Sequence, residues 1–249
     1  MVKQAASAAS VSKALAAFAS ASNSANLGWF FKTGPGEYAE GDRFLGVKVP
    51  QTRQVAREFR DLALSELQKL IKSKWHEERL CALVILVTRF EKSKDATARE
   101  ELFEIWLSWL ETGRINNWDL VDVSAPRMGV QLLGTKSGMT LLRRLAKSPS
   151  LWQRRASVIL TFAPLRAGSV AESLELCDRL IDDQHDLMHK AVGWVLREVG
   201  NRDLGALHAF LEEHAATTPR TALRYAIEKR PEAERRRWMN YKDQLASRA

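Results

Sequence analysis

The sequence predicts an all-α fold, a superhelical solenoid of HEAT-like antiparallel helix pairs with a concave basic groove. Three observations lead there. Beyond Pro50 the chain is written in Leu, Ala, Glu, Arg and Lys at helical spacing, and no alternation of period two reaches the length of a strand. Segment starts recur near Trp75, Trp118, Leu151, His185 and Pro219, at roughly 32–43 residues, the period of HEAT-type helical repeats. Lys and Arg outnumber Asp and Glu, 38 to 30, for a net charge of +8. Such helix pairs cannot bury their apolar faces alone, so they stack, and equivalent helices line one face. In several of them a basic residue precedes a small one: Arg79…Ala82, Arg155-Ala156, Lys190-Ala191 and Arg220…Ala222. That recurrence puts positive charge along the face.

In chain order, residues 1–27 form an Ala/Ser-rich segment, and residues 28–249 are read as one domain. Only Lys3 and Lys13 carry charge in the first part, and no Arg precedes Arg43, which argues against a transit peptide. The expectation is a frayed tail leading into a helix around Ser12–Ser20. Asn26–Gly46 interleaves Gly28, Gly34, Gly36, Gly41 and Gly46 with Trp29, Phe30, Phe31, Tyr38 and Phe44, an aromatic-rich connector of turns. Gly34-Pro35-Gly36 lacks the GK[ST] ending of a phosphate loop. Pro50 opens a helix that runs to Phe59. Further helices follow at Leu64–Ser73, Glu77–Phe90, Ala96–Glu111, Trp118–Val130, Lys136–Lys147, Leu151–Leu165, Ser169–Asp182, His185–Val199, Asp203–Glu213, Pro219–Lys229 and Glu232–Ala246. Ser148-Pro149-Ser150 and Thr217-Thr218-Pro219 are helix-start signals.

Composition narrows the function classes. With 249 residues, 45% hydrophobic and 27% charged, the chain can bury a sizeable core. A pI near 9.7 points to a polyanionic partner, nucleic acid before a membrane surface. No apolar run reaches spanning length. Cys81 and Cys177 lie in apolar surroundings with no CxxC pairing, as two buried thiols in a reducing compartment would. His185 and His189 share a helix face, but a pair leaves two tetrahedral metal positions unfilled. No nucleotide-binding glycine motif and no Ser/His/Asp arrangement stands out.

The stretch with the sharpest chemistry is Asn116-Asn117-Trp118-Asp119-Leu120-Val121-Asp122. Asn117 suits an N-cap whose side-chain oxygen accepts from an N–H two or three residues on. Trp118 and Asp122 are then one turn apart on one face, an aromatic ring beside a carboxylate, which is a receptor for a cation. The bland alternative is an acidic first turn and a packing Trp. Leu151-Trp152-Gln153-Arg154-Arg155 starts another helix. Lys190, Trp194 and Arg197 form one stripe of a third, and Arg220, Arg224 and Tyr225 belong to a fourth. Each reads equally as core Trp with a covering rim of Arg. Gly193, mid-helix, permits a close helix or ligand approach.

Taken together, these motifs resemble the AlkD-type DNA alkylation repair family. The likeness rests on Asn117–Asp122, Leu151–Arg155, Lys190–Glu198, Phe44–Pro50 and Pro219–Lys229, in the right order from about Trp29 to Trp238. It implies a HEAT-like repeat glycosylase that excises cationic purines such as 3-methyladenine and 7-methylguanine from double-stranded DNA. It further implies Asp122 as the catalytic carboxylate, and Trp118 and Trp194 as aromatic walls at the lesion nucleotide. Arg155 and Arg197 would grip the DNA backbone. Arg154, Lys190, Arg224 and Arg53 complete the expected DNA contacts. Where the family has a Tyr before its Phe-Leu-Gly segment, Tyr38 is the nearest residue, one position out of register. No metal or other cofactor is implied and no membrane partner; a monomer acting in the bacterial cytoplasm is expected.

The chemistry matches the residue types. An N3- or N7-alkylated purine is already a cation and leaves readily. Breaking its glycosidic bond builds positive charge on the deoxyribose, which calls for a nearby anion and a positioned water. Two readings compete with the glycosylase: a non-catalytic paralogue on the same scaffold that binds DNA structures, and a protein-interaction scaffold. Retention of both Trp118 and Asp122 speaks against the first.

Overall fold

The computed structural model describes residues 6–246; residues 1–5, with Lys3, and 247–249 of the expected domain lie outside the described residues. The described chain is all-α, as expected, and its one non-helical pairing is an isolated parallel bridge between Arg43 and Trp75. It divides into two compact units, one ending at Ser124 and one beginning at Ala125.

The first unit holds α1 (Ala8–Ala16), α2 (Ala21–Phe30), α3 (Val49–Glu58), α4 (Leu64–Leu70), α5 (His76–Lys92), α6 (Ala96–Glu111) and the opening turns of α7 (Trp118–Met128). From residue 6 on, the expected tail and Ser12–Ser20 helix are replaced by two helices with a break between them. The cause lies in two serines that read as tail composition. Ser7 and Ser20 are N-caps, accepting from the N–H groups of Ser10 and Asn23. Val11 and Leu15 of α1 are fully buried where it packs on α3, α4 and α5. The apolar run Leu80–Val87 makes α5 the centre of this unit, and α3, α4 and α6 all pack against it.

The connector between α2 and α3 is fastened from both sides. On the α2 side, Ser20 N–H donates to the Leu45 carbonyl (3.0 Å), Asn23 Nδ2 to that of Gly46 (2.7 Å) and Ser24 Oγ to that of Phe44 (2.7 Å). Gly46 takes φ +84, and a Cβ there would lie 2.1 Å from the Ser20 carbonyl oxygen, so only glycine fits. On the α5 side, the buried Glu77 carboxylate accepts the N–H groups of Leu45 (2.9 Å), Gly46 (2.9 Å) and Val47 (3.1 Å). The amides of Gly34 and Gly36 are taken by the chain's own Glu37 and Glu40.

The second unit continues with a 3₁₀ turn (Gly129–Leu132), α8 (Lys136–Ala146), α9 (Leu151–Leu160), α10 (Phe162–Ala167), α11 (Ala171–Leu180), α12 (Asp186–Arg202), α13 (Leu204–His214), α14 (Arg220–Ala226), α15 (Glu232–Met239) and α16 (Tyr241–Ala246). Here α12 is central, packing on α14, α13, α11 and α9. The expected helix Leu151–Leu165 is two helices. Pro164 has no N–H for the Leu160 carbonyl four residues back, and that oxygen instead lies against Gly129, where a Cβ would approach it to 2.2 Å. The expected Glu232–Ala246 helix also breaks, at Asn240.

The repeat is visible in bonding as well as spacing. The same turn opens α5, α9 and α12. Ser73, Ser148 and Asp183 each accept, through a side-chain oxygen, the N–H two residues on. The carbonyls of the same three residues bond the side chain six positions on: Arg79, Arg154 and His189. This shifts the repeat register. Arg79 is equivalent to Arg154 and His189, one residue earlier than the Arg155 and Lys190 that the sequence pattern aligns with it.

Candidate active site

The start of α7 is built from a buried ionic lattice. The Asn117 carbonyl accepts the first intrahelical bond, from Val121 N–H (3.2 Å), which makes Asn117 the cap residue. Its side chain departs from the expected capping bond. Asn117 Oδ1 accepts from the adjacent Trp118 N–H (2.8 Å), while Nδ2 donates to Asp42 Oδ2 (3.3 Å). Asp119 Oδ1 accepts from Leu120 N–H (2.9 Å), and its Oδ2 meets His76 Nε2 at 2.8 Å. The other ring nitrogen of His76 faces Asp42 Oδ2 at 3.4 Å. Arg79 Nη2 (2.7 Å) and Asn116 Nδ2 (3.2 Å) complete the shell of Asp42 on Oδ1.

Charge within this lattice is strongly biased. Burial alone would depress the pKa of His76; the charge and hydrogen bond of Asp119, with the bond to Asp42, outweigh it and raise the value to about 9. Both ring nitrogens face carboxylates, so His76 is an imidazolium donating on each side. Burial works against ionising Asp42, but the bond from His76 and the charge of Arg79 prevail and hold its carboxyl below the usual range.

Aromatic rings stack over the lattice. His76 lies 4.7 Å from Phe44, Phe44 lies 5.0 Å from Phe31, and Phe31 lies 5.3 Å from Trp118, each pair close to parallel. Phe30 meets Trp118 edge-on at 6.1 Å. Trp118 is half-buried, and so is Asp122 one turn further along α7. Next to them on α2, Trp29 is 84% exposed and Phe30 55%. The helix is held from behind by Ser124, whose Oγ donates to the Leu120 carbonyl and accepts from the Trp106 indole N–H (2.9 Å).

The remaining expected site residues, apart from Arg53, belong to the second unit. Lys190, Trp194 and Arg197 share α12. Trp194 is half-buried with its ring 4.8 Å from Phe162, Lys190 pairs with Asp186 (2.7 Å), and Arg197 bonds Glu198 (3.2 Å) and Glu228. Gly193 lies against α14, where a Cβ would sit 2.4 Å from the Ala222 carbonyl oxygen; the close approach that it permits is to a helix. On α9, Arg154 is braced by Asp183 (2.6 Å) and the carbonyls of Ser148 and Pro149. Arg155 is 5% exposed and donates to the Leu187 carbonyl (2.6 Å). Arg224 on α14 and, in the first unit, Arg53 on α3 are exposed. His185 caps α12 through Nδ1 and His189 bonds the Asp183 carbonyl; among the described residues no group of His, Cys, Asp and Glu could hold a metal ion.

Reasoning from the sequence missed Asp42, His76 and the role of Asp119. Their partners lie 34 and 43 residues apart, and no spacing rule joins them. It also missed the exposed Trp29–Phe30 pair, which read as part of an aromatic-rich connector.

Comparison with known proteins adds three findings. A family model described as DNA alkylation repair enzyme matches residues 11–229. Among solved structures the chain is similar to a protein titled "Predicted DNA alkylation repair enzyme from Enterococcus faecalis", with a TM-score of 0.67 and 14% identity, over 86% of this chain and 97% of that one. At that identity the likeness is one of fold. Among curated proteins no significant match is found.

Proposed function

The chain belongs to the DNA alkylation repair enzyme family, and on that premise we propose that it is a monofunctional DNA glycosylase for cationic alkylated purines in duplex DNA. It acts as a monomer in the cytoplasm and needs no cofactor. The observation that carries this reading is the pairing of an aromatic ring and a carboxylate one turn apart on α7, both half-buried. In this reading Trp118 packs against the sugar of the lesion nucleotide, and Asp122 faces its C1′ carbon. As the C1′–N bond breaks, the alkylated base takes the bonding electrons and leaves neutral. The positive charge passes to the deoxyribose, where the Asp122 carboxylate stabilises it. Water then adds at C1′, giving up its proton to Asp122 and leaving an abasic sugar. An aromatic wall such as Trp118, and Trp194 in the role the family resemblance gives it, would favour a cation on its π face by about 1–2 kcal/mol when desolvated. Lys190, the lysine of the candidate set, is paired with Asp186, and strand cleavage is not part of the proposed reaction.

The test is release of 7-methylguanine from methylated duplex DNA. Asp122→Asn is expected to slow it by about 10²–10³ while DNA binding persists. Undiminished release in that variant overturns the assignment. DNA binding without release by the wild-type protein would favour the non-catalytic paralogue.

A further inference from the structure

Trp118 is tied on both sides by residues that the proposed chemistry does not use. Asn117 before it reaches Asp42, and Asp119 after it reaches His76. His76 is bonded both to the connector, through Asp42, and to the first turn of α7, through Asp119. It is also 2% exposed and stacked on Phe44. A buried ionic lattice of this kind is seldom worth more in stability than a well-packed apolar core of the same volume. Its distinctive property is geometric: the bonds are satisfied in one register only.

We propose that His76 is a positioning residue for the reaction at Asp122, pinning the first turn of α7 to the connector so that Trp118 and Asp122 are held in the reactive arrangement. Asp119 transmits the constraint. One of its oxygens takes the Leu120 amide of its own helix, which fixes the carboxylate to the turn, and the other takes His76, so rotation or sliding of the turn breaks the bond to His76. Asp122 is three residues further along the same helix and moves with it. Displacement of about 1 Å at a reacting group can cost on the order of 10²-fold in rate. What is positioned rests on the glycosylase reading; the pinning itself does not.

The experiment compares Asp119→Ala, Asp119→Asn and His76→Phe with wild type. Asn keeps an oxygen for His76, and Phe keeps the ring stack while deleting both hydrogen bonds. Three quantities are read: single-turnover release of 7-methylguanine, affinity for undamaged duplex, and the Trp118 indole resonance by NMR, assigned with Trp118→Phe. Asp119→Ala is expected to lose at least about tenfold in rate, to keep its affinity within about twofold, and to shift or broaden the Trp118 signal. Asp119→Asn should recover most of the rate, and His76→Phe should behave like Asp119→Ala. If His76→Phe does not fold, the two Asp119 variants carry the test. A wild-type rate in Asp119→Ala, or an unmoved Trp118 signal, overturns the proposal. If wild type itself releases no base, the glycosylase reading fails and the Trp118 signal alone decides the pinning.

Discussion

A single missing methyl group at position 193 sets how closely α12 approaches α14. Gly193→Ala would place a Cβ 2.4 Å from the Ala222 carbonyl oxygen and 2.5 Å from Tyr225 Cβ. The variant is expected to lose about 1–3 kcal/mol of stability, measured by urea denaturation. The arginines teach a different lesson. Arg154 and Arg155 look alike in sequence, and both read as DNA contacts. In the structure each is anchored to backbone carbonyls, and their partners Asp183 and Leu187 lie 29 and 32 residues away. Arg155→Ala is therefore expected to cost about 1–3 kcal/mol of stability before any effect on DNA is counted. The pairing of an aromatic ring and a carboxylate on α7 was legible because it lies within one helical turn. Which guanidinium groups remain exposed was not, because that depends on pairing across repeats.

At the scale of elements, the joint between connector and α7 depends on a proton. The pKa of His76 rises from 6.5 to about 9 on folding. Below 6.5 both folded and unfolded chains hold the proton, and the full contribution of the His76 charge is present. Between 6.5 and about 9 the unfolded chain releases it while the folded chain does not, so stability falls with rising pH. Above that window the contribution is gone. A loss on the order of 3 kcal/mol is expected, read from denaturation midpoints across the window, and Asp119→Asn should flatten the slope. Most elements were legible from helical periodicity, and α6 matches its expected bounds residue for residue. The misses share a cause. Ser7 and Ser20 act as caps through a side-chain bond, and the break before α10 follows from where the Leu160 carbonyl points. Periodicity records neither.

For the molecule as a whole, the net charge of +8 matters only where its cations face solvent. Among the expected DNA contacts, Arg53 and Arg224 are the exposed ones. Arg53→Ala and Arg224→Ala are each expected to weaken binding to any duplex sequence and to lower the salt slope by about 1, measured by titration at several salt concentrations. Stability should change little in either variant. The repeat spacing was legible in the sequence, but its register was one residue out, because the bonding of Ser73, Ser148 and Asp183 defines equivalence better than composition does.

The two cysteines bear on survival in the conditions where such a protein is needed. Alkylating agents attack the best nucleophile they can reach, and in a protein that is a thiolate. Cys81 and Cys177 are both fully buried; burial pushes the Cys81 thiol up to about 12 and raises that of Cys177 as well. Both sulfurs stay protonated and out of reach, so neither thiol of the folded protein offers a target to the electrophiles whose damage its family repairs. Treatment with a methylating agent followed by mass spectrometry should find neither thiol modified in the native state and both modified after unfolding.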